Sequence, residues 1–244
     1  MSKNIMAKAK RSGFNQFLQT ATHMGALIPL ALMIYDSFTD GLTVNPIQEL
    51  TFRTGKTALV LLVLSLACTP VSSLFRFTQA NKMRRPLGVY AFMYIALHLT
   101  IFIFDNFVWA LGFTWDILKA TILEKRYILV GFSAFLIFLP LALTSTKGWQ
   151  KRLGKNWKRL HKWVYLADIL VIIHYVWLVK ADIREPLAWG AGVVFLLALR
   201  IPIINRWARN RITQVKRLGK RPPPQPGGRT AARTADTLDQ ASEI

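Results

Sequence analysis

The sequence predicts an all-α membrane protein, a bundle of six transmembrane helices with both termini cytoplasmic. Three observations carry this reading. Hydrophobic residues make up 52% of the 244-residue chain and gather in six blocks, roughly 19–37, 57–75, 87–104, 127–145, 162–179 and 187–205. Each block is close to the ~20 residues a helix needs to cross ~30 Å of hydrocarbon. Second, the blocks mostly lack the polar face at a 3.6-residue period that a soluble bundle helix shows. Third, the segments before the first block, at 76–86, at 146–162 and after 205 carry 24 of the 32 Lys and Arg, and the intervening segments carry few. That asymmetry places alternate loops, and both termini, in the cytoplasm. The net charge of +20 then reflects topology and attraction to anionic membrane lipid, with no nucleic-acid-binding face.

The first block holds His23 and Pro29 and is followed by no convincing small-residue cleavage site, so it reads as a span and not a signal peptide. The second holds the one cysteine, Cys68, which can form neither an intrachain disulfide nor a thiolate metal cage and reads as a small packing residue. The third follows Arg84 and Arg85 and carries His98. The fourth contains Pro140; with Pro29, Pro70 and Pro202 it reads as a kink that neighbouring helices tolerate. The fifth starts beside His161 and carries Asp168 and His174. The sixth has Arg200 near its inner end, placed to snorkel. Trp149, Trp157 and Trp163 flank the cytoplasmic side and Trp109, Trp115 and Trp189 the outer one, as interfacial belts.

The domain reading follows. Residues 1–16 form a cytoplasmic N-terminal segment, 17–207 the six-helix domain, and 208–244 a basic, Pro-rich cytoplasmic tail without fixed structure. The loops at 105–126 and 180–186 are short outer connections. No internal repeat is evident. No Walker A motif or G-x-G-x-x-G fingerprint occurs, so no nicotinamide-binding domain is expected.

Only four histidines occur, His23, His98, His161 and His174, all inside or at the edge of a block. An imidazole in hydrocarbon must be satisfied there. With ~1.5 Å of rise per residue, His98 lies about 18 Å into the third helix from Pro86, and His174 about 20 Å into the fifth from His161. The two share a level in the outer half of the bilayer, on different helices, as two axial ligands of one haem iron must. His161 lies about 20 Å from His174 along the axis and about 140° away in azimuth, so it has different neighbours. The cytoplasmic ends of the first and third helices, with His23, Arg84 and Arg85, share its depth. The arginines suit haem propionates or an FMN phosphate, and equally suit a purely topological role. A lone intramembrane histidine can also simply bond across helices. Asp168 sits on nearly the same face as His161, about 10 Å deeper. It fits orientation of an imidazole, acceptance of a quinol proton, or a protonated acid bonded to a neighbouring helix, the last preferred.

The runs "TGKTALVLLVLSLACTP" (54–70), "RRPLGVYAFMYIALHLT" (84–100) and "LTSTKGWQKRLGKNWKRLHKWVYLADILVIIHYVW" (143–177) resemble the MsrQ family, formerly YedZ, over about residues 20–205. The resemblance implies a six-helix ferric-reductase-like domain with haem b, one or two per chain, and FMN. It implies electron delivery to MsrP, a periplasmic molybdopterin enzyme that repairs oxidised methionine, with the quinone pool or a cytoplasmic flavin reductase as donor. It implies an inner-membrane, multi-pass location in a bacterium. The family's haem histidines fall on His98, His161 and His174, with His23 matching less closely. Two-haem ferric reductases carry two histidines on each of two helices. Position 84, fourteen before His98, is arginine here, so a second bis-histidine haem lacks a ligand.

Three functions compete at this stage. An electron-transfer subunit of a methionine sulfoxide reductase system, itself not the catalytic subunit, is preferred. A stand-alone transmembrane ferric or oxygen reductase is expected to need a flavin–nicotinamide domain, which the stretch after the sixth block is too short to hold. A proton-coupled transporter without haem would line a path with His23, His161 and Asp168.

Overall fold

A segment that is apolar all round can satisfy its backbone in lipid only within itself, and a helix does so. The computed structural model describes residues 2–39, 41–109, 114–179 and 182–201, together with Arg206 and Asn210. All regular elements among these residues are helical. The helices are α1 (Ser2–Phe38), α2 (Pro46–Phe75), α3 (Ala80–Ile103), α4 (Trp115–Glu124) and α5 (Tyr127–Leu143), then α6 (Lys147–Leu153), α7 (Lys155–Leu160), α8 (Val164–Leu178) and α9 (Arg184–Ala198). Apart from Asn210, the expected tail 208–244 lies outside the described residues, as does Pro202.

Each of the six apolar blocks contains a helix, though the lengths differ from expectation. Three stretches are long and apolar enough to cross a membrane, Gly13–Phe38, Pro46–Phe75 and Ala80–Asn106. A fourth qualifies if α5 and α6, which meet at a 94° bend, count as one. α8 and α9 have 15 residues each, about 22 Å of helix against a ~30 Å core. α8 is nevertheless preceded without a break by α7 and a 3₁₀ turn, His161–Trp163, so helical backbone runs over 155–178.

Local chemistry sets several boundaries. α2 begins with Pro46 in the first turn and Asn45 as its cap, the Asn45 side chain accepting from the Gln48 amide. It ends where Arg76 turns left-handed, at φ 59°. α5 ends at Thr144, whose hydroxyl returns to the Pro140 carbonyl at 2.6 Å, and Thr146 caps α6. The segment 105–126, expected to be a loop, is mostly helical: a π-helical turn, Phe104–Trp109, extends α3, and α4 follows. The expected N-terminal segment is likewise continuous with the first span, since α1 starts at Ser2.

Two antiparallel helix pairs organise the bundle. α2 lies along α3, with Thr51 meeting His98 near one end and Ser65 meeting Arg84 near the other. α5 lies along the continuous α7–α8 stretch in the same manner, Tyr127 meeting His174 of α8 and Thr144 meeting Trp157 of α7. Small residues permit the approach: Ala58, Ala91, Ala134 and Ala167 are all buried. Buried hydroxyls are satisfied on nearby carbonyls, as Thr54 is on Leu50.

α1 is tied to α3 through Tyr94, a fully buried residue whose hydroxyl donates to the Ala26 carbonyl at 2.7 Å. Tyr94→Phe removes that bond and leaves the packing intact. The expected loss is about 1 kcal/mol, read as a lower thermal midpoint in detergent. An unchanged midpoint would show that the bond contributes nothing.

Candidate functional site

Two imidazoles from the two helix pairs face one another. His98 on α3 donates Nδ1–H to the Thr51 carbonyl of α2 at 2.8 Å, and His174 on α8 donates Nδ1–H to the Tyr127 carbonyl of α5 at 2.8 Å. A carbonyl only accepts, so each ring carries its proton on Nδ1 and keeps the Nε2 lone pair for another partner. This is the orienting bond that metal-ligating histidines make through their second nitrogen. The ring centroids are 6.3 Å apart and the planes stand at 89°. Two metal–imidazole bonds of about 2.0 Å each, with roughly 1.2 Å from each nitrogen to its ring centre, give a separation of about 6.4 Å. The observed centroid spacing is close to that separation and leaves room for one ion between the rings. Among the described residues no third His, Cys, Asp or Glu joins them. Such a two-ligand set fits an iron whose remaining ligands come from a macrocycle.

Both histidines lie against a glycine. A Cβ on Gly55 would stand 3.1 Å from His98 Nδ1, and one on Gly131 would stand 2.6 Å from His174 Nδ1. Each glycine follows by four residues the carbonyl its histidine uses. The chain separation across the two hydrogen bonds is 47 residues in both pairs. One shift of 76 residues carries Thr51 onto Tyr127, Gly55 onto Gly131, Ala58 onto Ala134, Ala91 onto Ala167 and His98 onto His174. The chain thus contains a repeated histidine-bearing helix pair, which the sequence by itself did not reveal. Ion pairs join the helices near this end: Arg53 links Asp36 to Glu49, and Lys56 meets Glu185 at 2.7 Å.

The same shift places Arg85 opposite His161, and here the two halves differ. A cavity of about 500 Å³ is lined by Lys82, Arg84, Arg85, Trp157, His161, Asp168 and Arg200, among others. His161 caps α7; its ring stacks on Trp157 at 4.0 Å, and its Nδ1 lies 3.2 Å from the Trp157 carbonyl. Trp157 is itself held by a bond to the Thr144 carbonyl at 3.0 Å. Three polar atoms of this lining are buried without a partner among the described residues: His161 Nε2, Asp168 Oδ1 and Arg200 Nε. Buried polar atoms are nearly always satisfied, so three orphans in one cavity point to a bound group or ordered water.

The sequence-predicted residues thus separate into three places. His98 and His174 meet; His161, Arg84 and Arg85 share the cavity; His23 lies elsewhere, its Nδ1 2.9 Å from the Tyr90 hydroxyl. Arg200, expected to snorkel towards an interface, turns inward instead. It donates to the Tyr165 hydroxyl at 2.9 Å and the Leu66 carbonyl at 2.6 Å, with its guanidinium 5.2 Å from the Tyr165 ring centre. Chain direction explains this, because α9 stops at Ala198 and Arg200 sits in the turn that follows. Asp168, expected to bond to a neighbouring helix, has an oxygen that does not. Its carboxyl group lies within electrostatic reach of Arg200 and Arg84. Sequence reasoning missed Gly55, Gly131 and the inward role of Arg200; only Arg200, a cation inside an apolar block, carried a signal.

Comparison with known proteins follows the same lines. Residues 54–173 match the family model described as ferric reductase like transmembrane component. The chain is 38% identical over 212 residues to the protein-methionine-sulfoxide reductase heme-binding subunit MsrQ of Xanthomonas axonopodis pv. citri, covering 84% of this chain and 93% of that protein. The MsrQ protein of Xanthomonas campestris pv. campestris (strain 8004) is 37% identical over 222 residues, covering 88% and 98%. That of Rhodospirillum rubrum is 39% identical over 189 residues, covering 76% and 88%.

Proposed function

The chain belongs to the MsrQ family of protein-methionine-sulfoxide reductase heme-binding subunits, and from that membership and the paired imidazoles we propose that it is a b-type cytochrome passing electrons across a bacterial inner membrane to a periplasmic molybdopterin partner, MsrP. In this reading all six apolar blocks span, both termini are cytoplasmic, and the His98–His174 pair lies in the outer half of the bilayer. The observation that carries it is the 6.3 Å, 89° arrangement of two imidazoles whose Nδ1 atoms are already committed.

Haem held there supplies a one-electron carrier. The chain does the rest. His98 and His174 would ligate it through Nε2, and the Thr51 and Tyr127 carbonyls would hold the tautomer and raise ligand basicity. The surrounding apolar helices exclude water. His161, about 20 Å away along the helix, serves the cytoplasmic half. Its cavity brings four cations, Lys82, Arg84, Arg85 and Arg200, to one carboxyl group, Asp168. Such a lining suits an anionic or quinonoid group through charge-assisted bonds: a second haem with His161 as its only imidazole ligand, FMN, or a quinol from the pool. A cytoplasmic flavin reductase would deliver electrons at the same face.

Liposomes loaded with reductant and an electron mediator, with oxidised partner outside, test the direction. Outward reduction of the partner is expected to follow reduction of the haem. Haem that reduces while the partner stays oxidised would exclude the delivery role.

A further inference from the structure

We propose that Gly55 and Gly131 are positioning residues: paired sockets that fix the azimuth of His98 and His174, so that the chain imposes a near-perpendicular pair of axial imidazoles on its haem. The inference rests on the haem reading above and goes beyond it, because ligation alone leaves the ring planes free.

Each histidine is held at two points. Its Nδ1–H bonds to a helix carbonyl, and the ring edge carrying Nδ1 and Cε1 lies on the glycine four residues further along that helix. On Gly55 an added Cβ would meet Nδ1 at 3.1 Å and Cε1 at 3.2 Å; on Gly131 the same two atoms would be met at 2.6 and 2.8 Å. Contacts below 3.0 Å are essentially never made by real Cβ atoms, so at Gly131 the imidazole must move. The ring is the mobile partner, since the glycine belongs to a helix backbone. Sliding off the glycine also draws Nδ1 away from the carbonyl, so orientation and hydrogen bond are lost together. Only glycine allows a side chain of a neighbouring helix to approach the backbone this closely.

The socket occurs twice at the same internal spacing, once in each repeated helix pair. Packing alone would not require the same ring edge, the same carbonyl offset and the same glycine in both halves. The two rings held in these sockets stand at 89°. For a low-spin ferric iron with two imidazoles, perpendicular planes leave the two π-interacting d orbitals nearly degenerate. Parallel planes split them. The first case gives an electron paramagnetic resonance spectrum dominated by one large-g feature, the second a resolved three-line rhombic spectrum. The plane angle also shifts the midpoint potential.

The test uses purified holoprotein in detergent: wild type, Gly55→Ala, Gly131→Ala and the control Gly192→Ala, whose added Cβ meets nothing within 4 Å. Haem per polypeptide, the paramagnetic resonance spectrum and the midpoint potential are measured on each. Wild type and Gly192→Ala are expected to show the large-g spectrum. Gly131→Ala is expected to lose it, giving rhombic or high-spin signals and a shifted potential. Gly55→Ala, with its milder contact, should change in the same direction by less. A rhombic wild-type spectrum overturns the inference, as does a large-g signal and unchanged potential in Gly131→Ala at full haem content. If Gly131→Ala yields no holoprotein, the wild-type spectrum and Gly55→Ala decide. Failure of the underlying haem reading looks different: wild type without haem, or haem unaffected by loss of His98 and His174.

Discussion

Replacing either His98 or His174 with alanine is expected to abolish the low-spin haem spectrum and to lower haem content at least ~10-fold. Loss of a hydrogen bond to a ligating group alone typically costs 10–100-fold in metal affinity, and here the ligand itself goes. The two substitutions should behave alike, because the two sites are built alike: Nδ1 on a carbonyl at 2.8 Å, a glycine beneath the ring, and one shared partner 6.3 Å away. Any haem retained in a single mutant should be high-spin with one imidazole. His23→Ala provides the contrast. Its imidazole is exposed and bound to the Tyr90 hydroxyl, so the haem of the His98–His174 pair should keep its wild-type spectrum. Pyridine-haemochrome content per polypeptide and the Soret band of each variant check the set. Wild-type content and spectrum in both His98→Ala and His174→Ala would falsify the ligand assignment.

The meeting of His98 and His174 was legible because depth along a spanning helix follows from counting residues, and two polar rings at one depth in hydrocarbon have few other partners. The sockets were not legible. Each imidazole bonds to a backbone carbonyl, which every residue possesses, so Thr51 and Tyr127 share nothing in sequence that marks them. A glycine in an apolar block reads as ordinary helix packing until its azimuth is known. The repeat was hidden for the same reason, since the 76-residue shift matches a few buried small positions and one histidine of each pair, while most other positions differ. α4 was missed because a ten-residue helix between two spans leaves little periodicity to recognise. Arg200 was misread because snorkelling was inferred from distance to the end of a block, whereas the helix ends first and the side chain folds back onto Tyr165. Hydropathy alone therefore marked where the apolar helices lie, each block containing one, but not α4, α6 or α7. Where each polar side chain turns needed the packing.

The second large effect is expected at the cavity. On the function proposed above, His161→Ala should leave the His98–His174 haem and its spectrum intact while removing a group bound in the cavity and slowing reduction by a donor on the His161 side at least ~10-fold, the scale set by lost metal-site partners. Separation is the physical reason, since about 20 Å of helix lies between His161 and His174. A change at one is then felt at the other mainly through electron supply. The cavity's chemistry gives the reason for the loss. His161 Nε2, Asp168 Oδ1 and Arg200 Nε are all buried without partners among the described residues, and an unsatisfied buried polar atom costs about 1–3 kcal/mol. A bound group that satisfies them recovers that cost, so deleting the imidazole removes one of its few directional contacts. The cations would still attract an anionic group, which is why weakened binding and slowed transfer are expected together. Two reductants separate the outcomes. Dithionite added to detergent-solubilised protein should reduce the His98–His174 haem fully in wild type and variant. A donor confined inside liposomes should reduce it slowly in the variant alone. Cofactor content and inside-donor reduction rates equal to wild type would mean that His161 is no more than a stacking partner for Trp157.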